Sequence, residues 1–396
     1  MTPTSRVIDR CYIAIIGAGA AGIAAAAAIR GAARVLLVEA SDQLGGSVTA
    51  AMHRCMCGLY SSLPDTPLDT LNDFMQRDIV RRMMRIAPSQ VMPRLFGKAP
   101  VLEFPRSIWL QCLGDICEES GADLRLNCRL TNVRREGNRL TAIEISDPQP
   151  RWISVSALID CSGGGHALKL IGPDAFQPPQ AGDGRTFAGF AVRVSGITGD
   201  AEMLRLQIPY ALSKAVNAGS LPANARFTVF YPGPAVGEGI CKLAVNPAEV
   251  SPSEADLLAE QIVRHLAAEI PGFAEARIVE KSPRILPRDG LRLRGRYTVS
   301  EDDILHGRRH GENSVHAWWP METWDISRGP QYSYPPPGKH YDIPEGALQS
   351  DSITNLLAAG TCISATAEAA ASTRASGICL ATGHAAGRLS LGCLAD

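Results

Sequence analysis

The chain is predicted to be an α/β protein in which a discontinuous parallel-sheet domain carries an inserted α+β domain, and three observations predict it. Tyr12 to Ile16 is wholly apolar and runs into glycines at 17, 19 and 22, followed by an alanine-rich stretch to Arg30. Two later apolar runs, beginning at Ala157 and at Asn355, end in glycine in the same way, at Gly163 to Gly165 and at Gly360. The stretch between them, from about Pro178 to Tyr341, mixes strand-like segments with one amphipathic helix.

An apolar run without alternation is what a parallel strand covered on both faces requires, so Tyr12 to Ile16 reads as the first strand. The alanines after it have high helix propensity. Gly17 permits the tight turn, Gly19 lets a pyrophosphate approach the backbone, and Gly22 lets helix and strand pack closely. A helix opening at Ala20 and Ala21 would present unpaired N–H groups and a partial positive charge to that diphosphate. Arg34 to Glu39 reads as the second strand. Glu39, followed by Ala40, stands at its carboxyl end, where an acid accepts hydrogen bonds from ribose hydroxyls and disfavours a 2'-phosphate. Strand, turn, helix, strand and terminal acid together read as a Rossmann-like dinucleotide site.

Composition sets the outer limits. With 396 residues, 45% apolar and 20% charged, and a formal net charge of -1, the chain has room for two ordinary globular domains and no surplus of positive charge for nucleic acid. Its eleven cysteines are scattered rather than arranged as a small secreted framework, so a reducing, cytoplasmic setting is expected. Arg6 and Arg10 before the apolar stretch Cys11 to Ile29 superficially imitate a signal peptide, but the glycines interrupt it. No membrane span is expected.

The residues after Glu39 separate FAD from NAD. The chain reads ASDQLGGSV, and the doublet Gly45-Gly46 with Ser47 resembles the FAD signature of the glutathione-reductase and fumarate-reductase-like flavoproteins. The ALIDCSGGG run, with Gly163, resembles the central strand-to-glycine motif of those domains. NLLAAG followed by Thr361 resembles their C-terminal motif, in which Gly360 meets the ribityl and phosphate region. With YDIPEGAL at Tyr341 to Leu348, the chain resembles a broad family of FAD-dependent oxidoreductases related to fumarate reductase. The resemblance implies bound FAD in a domain made of residues 1–60, 100–178 and 341–396. Residues 61–99 and 179–340 would then form the substrate or cap domain. It also implies a helix from about Thr373 to Leu391, including Gly377 and Ile378, whose N-terminus faces the isoalloxazine and stabilises negative charge on the reduced ring.

Within the insert, strands are expected near Phe187 to Val194, Arg226 to Tyr231 and Ile240 to Val245. Ser253 is expected to cap a helix carrying Leu258, Ile262, Leu266 and Ile270 as one apolar stripe that Pro271-Gly272 ends. Arg129 to Ser146 reads as a hairpin turning at Glu136-Gly137-Asn138.

Candidate chemistry gathers at two places. His53, Cys55 and Cys57 come after the Gly-Gly loop. His53 titrates near neutrality and suits proton transfer coupled to hydride transfer, while a packed structural histidine is the plain alternative. The resemblance also raises covalent attachment of the flavin through it. Cys55 and Cys57 could form a redox disulfide or bind metal, but no second pair at zinc spacing exists; packing is the favoured role, with Cys57 facing the substrate pocket, and no metal is expected. The second place is His316 to Arg328, which holds Trp318, Trp319 and Trp324. Its aromatic surface suits a flat substrate, with His316, Glu322 and Arg328 orienting polar groups, and a core wedge is the alternative. Arg288, Arg292, Arg294 and Arg296 read as a solvated face paired with Glu301, Asp302 and Asp303, or as a site for an acidic substrate.

The leading expectation is a dehydrogenase or oxidase that transfers hydride from a small organic substrate to flavin N5, with His53 or His316 as the base. Oxygen, a quinone or a protein would accept the electrons, since no second glycine fingerprint comes after a strand. A flavin monooxygenase tailoring a metabolite or maturing a protein is the alternative, although the usual Gly-Asp-Ala is replaced by Gly360-Thr361-Cys362. A non-redox FAD-binding scaffold is the third.

Overall fold

A computed structural model describes residues 8–180, 187–246, 249–325 and 328–394. Arg6, Gly182 to Thr186 of the insert, and Ile326 and Ser327 of the tryptophan-rich stretch lie outside the described residues.

The central sheet is mixed, with a parallel half. Its order runs Asp123–Arg125, Val35–Val38, Ile8–Ile16 and Gln149–Asp160, all parallel to their neighbours. Gln149–Asp160 is long enough to serve two partners along its other edge. Its last residues take Leu356–Ala358 in parallel, and its first residues pair antiparallel with Arg139–Asp147. Arg139–Asp147 in turn pairs with Arg129–Glu136 through the expected tight hairpin, in which Glu136 faces Arg139. Every residue of Val35–Val38 is buried, as the absence of alternation requires.

The helix Ala20–Ile29 lies on one face of this sheet, packed against the C-terminal helix Ser376–Ser390. A methyl group on Gly383 would stand 2.1 Å from the Ala21 carbonyl oxygen, and one on Gly387 would stand 2.4 Å from that of Ala25. The two helices therefore touch backbone to backbone. This explains the alanine run, because a larger residue would part them. The helix expected from about Thr373 to Leu391 is present but starts a few residues later, and a separate helix precedes it. Ala367–Thr373 ends at Arg374, Ala375 is extended, and Ser376–Ser390 starts afresh. The helix Met75–Ile86 buries Met75, Ile79, Val80 and Met83 in the same core.

A second sheet is antiparallel, in the order Val229–Pro232, Glu238–Val245, Ala188–Ser195 and Arg277–Lys281. Phe190, Val192, Val194, Cys241, Leu243 and Val245 share a separate core with the helices Ala201–Asn217 and Pro252–Glu269. Strand alternation turns Ala191, Ile240 and Lys242 to the opposite face, where Ala191 and Ile240 cluster with Met52. The second sheet thus leans on the segment just past the Gly-Gly loop, and Ser282 fastens it by donating to the Ala50 carbonyl at 3.0 Å.

Two local expectations are corrected. Ser251, not Ser253, caps Pro252–Glu269. It does so through a reciprocal capping box with Glu254, because Pro252 already supplies the first helical φ. The arginine run is not a strand paired with the acids at 301–303. Arg292 is buried and donates to the Ala365 carbonyl, Arg294 pairs with Asp351, and Arg288 pairs with Glu322. Asp303 instead caps its own helix and binds Tyr297 and Arg308.

Candidate active site

The glycine segments, far apart in sequence, converge at the carboxyl ends of the parallel strands. Gly17 has φ +101°, and a methyl group there would stand 2.5 Å from the Cys161 carbonyl oxygen. A methyl on Gly22 would lie 1.8 Å from the Gly17 carbonyl oxygen, so the turn and the helix start are in contact. The Gly45 N–H donates to the Ala18 carbonyl at 2.9 Å, and Gly19 faces Gly46. Gly360 sits against Ala21, while the Thr361 hydroxyl donates to the Gly163 carbonyl at 2.8 Å. Gly377 lies against Cys57 and Gly58, beside Ile378, and Thr373 is buried.

This cradle fits a dinucleotide by two observations. The helix Ala20–Ile29 starts at an extended Gly19 with no side-chain cap and no acid in its first turn, which leaves its N-terminal N–H groups to a ligand. At the edge of the cradle, Glu39 accepts from the Ala18 N–H at 2.8 Å and from the Ser41 hydroxyl at 2.7 Å. That orients its carboxylate at the strand end, next to Ala40.

Beyond the cradle, the short strand Cys55–Cys57 passes the N-terminus of Ser376–Ser390, and the Cys57 N–H donates to the Ser376 hydroxyl at 3.3 Å. Around this strand lies a buried polar cluster. Lys242 Nζ stands 2.9 Å from His53 Nδ1. Burial pushes the Lys242 ammonium down to about 8, and burial followed by the Lys242 charge holds His53 below its ordinary value. The closeness of the two thiols drives Cys55 well down and Cys57 well up, and neighbouring His53 assists the lowering of Cys55.

Glu322 closes the cluster. It binds Arg288 at 2.7 Å, Arg374 at 3.1 Å and the Trp324 indole N–H at 3.0 Å. Burial alone would raise its carboxyl, but the two guanidinium groups overcome this and hold it below the usual range. Trp324 packs edge-on against Phe187 and Phe227, and Arg288 lies over its ring at 5.2 Å. Arg374 Nη1 is buried without a hydrogen-bond partner, as is Asp289 Oδ2, 3.9 Å being the nearest approach between Arg374 and Asp289. A cleft of about 480 Å³ opens alongside, lined by Gly164, Lys169, Gln177, Asp289, Gly290 and Leu291.

The structure divides the residues expected from the tryptophan-rich stretch. Glu322 and Trp324 join His53 and Cys57. His316 belongs to a different strand pair, Val315–Ala317 with Tyr341–Ile343, where it faces Asp342 across the register and bonds it at 2.8 Å. Arg328 is exposed in the turn of the hairpin Met321–Asp325 with Gly329–Ser333. Trp318 is buried against Tyr334, and Trp319 is half-buried, its carbonyl accepting from Ser372.

Lys242 and Arg374 were not expected. The only signal for Lys242 was a single cation inside the strand EGICKLAV, on the face opposite Cys241 and Leu243. Arg374 had none.

The model of the FAD dependent oxidoreductase family matches residues 13–396. No curated protein matches. Among solved structures, the flavin-dependent brominase Bmp2 (triple mutant) is 12% identical, with a TM-score of 0.50, over 97% of this chain and 80% of that one. A geranylgeranyl bacteriochlorophyll reductase-like protein from Thermoplasma acidophilum is 10% identical, with a TM-score of 0.46, over 97% and 77%. BexE, studied for oxidation during BE-7585A biosynthesis, is 20% identical with a TM-score of 0.47, and this chain covers 54% of its length, about half. The brominase likeness is one of fold. Among the described residues, no helix is long and apolar enough to cross a membrane.

Proposed function

The chain belongs to the FAD dependent oxidoreductase family, and on that premise we propose that it oxidises a small organic substrate by hydride transfer to flavin N5, with His53 as the base. FAD, when bound, supplies the hydride acceptor. Gly17, Gly19, Ala20, Ala21 and Gly22 hold its diphosphate, and Glu39 with Ala40 its adenosine ribose. Gly45, Gly46, Ser47, Gly163, Gly360 and Thr361 line the remainder. Thr373, Gly377 and Ile378 stand by the helix end that favours negative charge on the reduced ring.

The contact between Lys242 and His53 carries this reading. An ammonium only donates, so while Lys242 is charged, His53 Nδ1 accepts and the ring proton sits on Nε2. Once Lys242 is neutral, Nδ1–H donates to its lone pair and Nε2 becomes free to take a substrate proton. Burial of both groups keeps the imidazole uncharged in either state. Trp324 and Cys57 form the apolar side of the substrate pocket, and Arg374, with a buried unpaired N–H, supports an acidic or carbonyl oxygen on the substrate.

Anaerobic mixing of the FAD-loaded protein with a panel of hydroxy and amino acids tests the proposal. Bleaching of the flavin by a panel member, lost in His53→Ala, is the expected result. Reduction by NAD(P)H alone supports the monooxygenase in its place, and a flavin that neither reduces supports a scaffold.

A further inference from the structure

We propose that His316, His340 and Asp342 form a binding site for a divalent transition-metal ion. The inference stands on its own geometry and does not depend on the hydride-transfer reading.

Strand pairing assembles the three side chains. His316 stands opposite Asp342 where Val315–Ala317 pairs antiparallel with Tyr341–Ile343, and His340 comes just before the second strand. The two imidazole rings lie 4.3 Å apart, centroid to centroid. His316 Nδ1 is 2.8 Å from Asp342 Oδ1, and His340 Nε2 is 3.8 Å from the same oxygen. One ligand atom from each residue lies within 4.8 Å of the other two. Around a tetrahedral zinc, with bonds of about 2.0–2.1 Å, ligand atoms stand about 3.3 Å apart. Closure therefore asks for small ring rotations rather than movement of the backbone.

Three features suit a metal better than a plain ion pair. Asp342 is fully buried, and its Oδ2 accepts from the His310 N–H at 2.8 Å, which aims Oδ1 at the two rings. His340 Nε2 is buried and makes no hydrogen bond, so it lacks the partner that a metal would supply. The backbone of His316 is held on both sides by Asn72, whose side chain accepts from its N–H at 2.9 Å and donates to its carbonyl at 2.8 Å.

Arg309 is the competitor. Its guanidinium binds Asp342 Oδ1 at 3.0 Å but is 55% exposed, so it is free to turn to solvent when a doubly charged ion takes that oxygen. The proton shared by His316 and Asp342 leaves to solvent in the same step, since a ligating imidazole offers a lone pair. Two imidazoles and one carboxylate are a donor set for zinc and its neighbours in the first transition row, with the remaining position left to water. The strands joined in this way lead into Trp318 and Trp319 on one side. On the other, the Tyr341 and Ser372 hydroxyls meet at 2.8 Å, tying the site to the helix Ala367–Thr373.

The FAD-loaded protein is stripped with EDTA, desalted and titrated with zinc sulfate by calorimetry, and the metal kept after dialysis is counted by mass spectrometry. Wild type is expected to bind zinc, and His340→Ala to hold one ion fewer per chain. Arg309→Gln is expected to hold the same number several-fold more tightly, because the competing cation is gone. Cys57→Ser, a change in the other cluster of histidine and cysteine, is expected to keep the ion that His340→Ala loses. Arg309 is exposed, so its variant decides the matter even where His340→Ala fails to fold. Equal zinc in wild type and His340→Ala, an affinity unmoved by Arg309→Gln, or no zinc in wild type overturns the proposal.

Discussion

Lys242 reaches across from the second sheet to within 2.9 Å of His53, which stands seven residues beyond the Gly-Gly loop of the first. One cation from the antiparallel sheet thus meets one base from the dinucleotide-binding layer, and neither has its partner near in sequence. The proton equilibrium of this pair sets the first expectation.

Substrate-driven flavin reduction should rise with pH through a limb near 8, where Lys242 loses its proton. In Lys242→Met the limb should vanish. Stability should track the same group. Between about 8 and its ordinary 10.5, the unfolded chain still carries a proton that the folded chain has lost, so wild-type stability rises with pH across that window. The charged form is the one that burial penalises, so below pH 8 Lys242→Met should be the more stable protein, by on the order of 3 kcal/mol at most. Urea melts at pH 7 and pH 10 measure the difference.

Glu322 pairs with the buried Arg374, whose other acid, Asp289, stands no nearer than 3.9 Å, and with the partly buried Arg288. Glu322→Ala should cost about 3–5 kcal/mol, the range for breaking one partner from a buried ion pair. Arg328→Ala, in the exposed turn, should stay within about 0.5 kcal/mol. Chemical denaturation of the two variants side by side checks the contrast.

Gly19 and Gly22 should fail in different ways. A methyl on Gly22 overlaps the Gly17 carbonyl, so Gly22→Ala should disturb the fold itself. A methyl on Gly19 meets only Gly46, at 3.7 Å, and its backbone φ of -78° suits alanine. Gly19→Ala should therefore fold with a stability change of about 1 kcal/mol or less. Its methyl nevertheless occupies the approach of the diphosphate, and FAD affinity should fall by about tenfold or more. Fluorescence titration of apoprotein with FAD measures it.

The cap of Pro252–Glu269 gives a purely structural test. Ser251→Ala should destabilise by about 1 kcal/mol, while Ser253→Ala should have a smaller effect. Equal effects from the two would return the cap to Ser253.

The features legible in the sequence were the local ones. The turn Gly17 to Gly22 needs its glycines within six residues of one another, and the hairpin at Gly137-Asn138 is set by its own register, so both could be read. The resemblance supplied the return of Leu356–Ala358 to the sheet. Lys242 was illegible because its role arises from which strand face leans on His53, a tertiary fact. The later start at Ser376 was hidden by an alanine-rich composition that permits helix from Thr373. Ser253 lost to Ser251 because proline at the first helical position shifts the cap back. The tryptophan-rich stretch read as one cluster because its residues are consecutive, yet a change of strand between Ala317 and Met321 sends His316 to Asp342 and Glu322 to Arg374.

The most direct measurement is the flavin absorbance of the FAD-loaded protein during anaerobic mixing with the hydroxy- and amino-acid panel, across pH 6 to 10, in wild type and Lys242→Met. Bleaching whose rate rises through a limb near 8 in wild type and loses that limb in the variant is the predicted result. A pH-independent rate in both, or a flavin that only NAD(P)H can bleach, would contradict it.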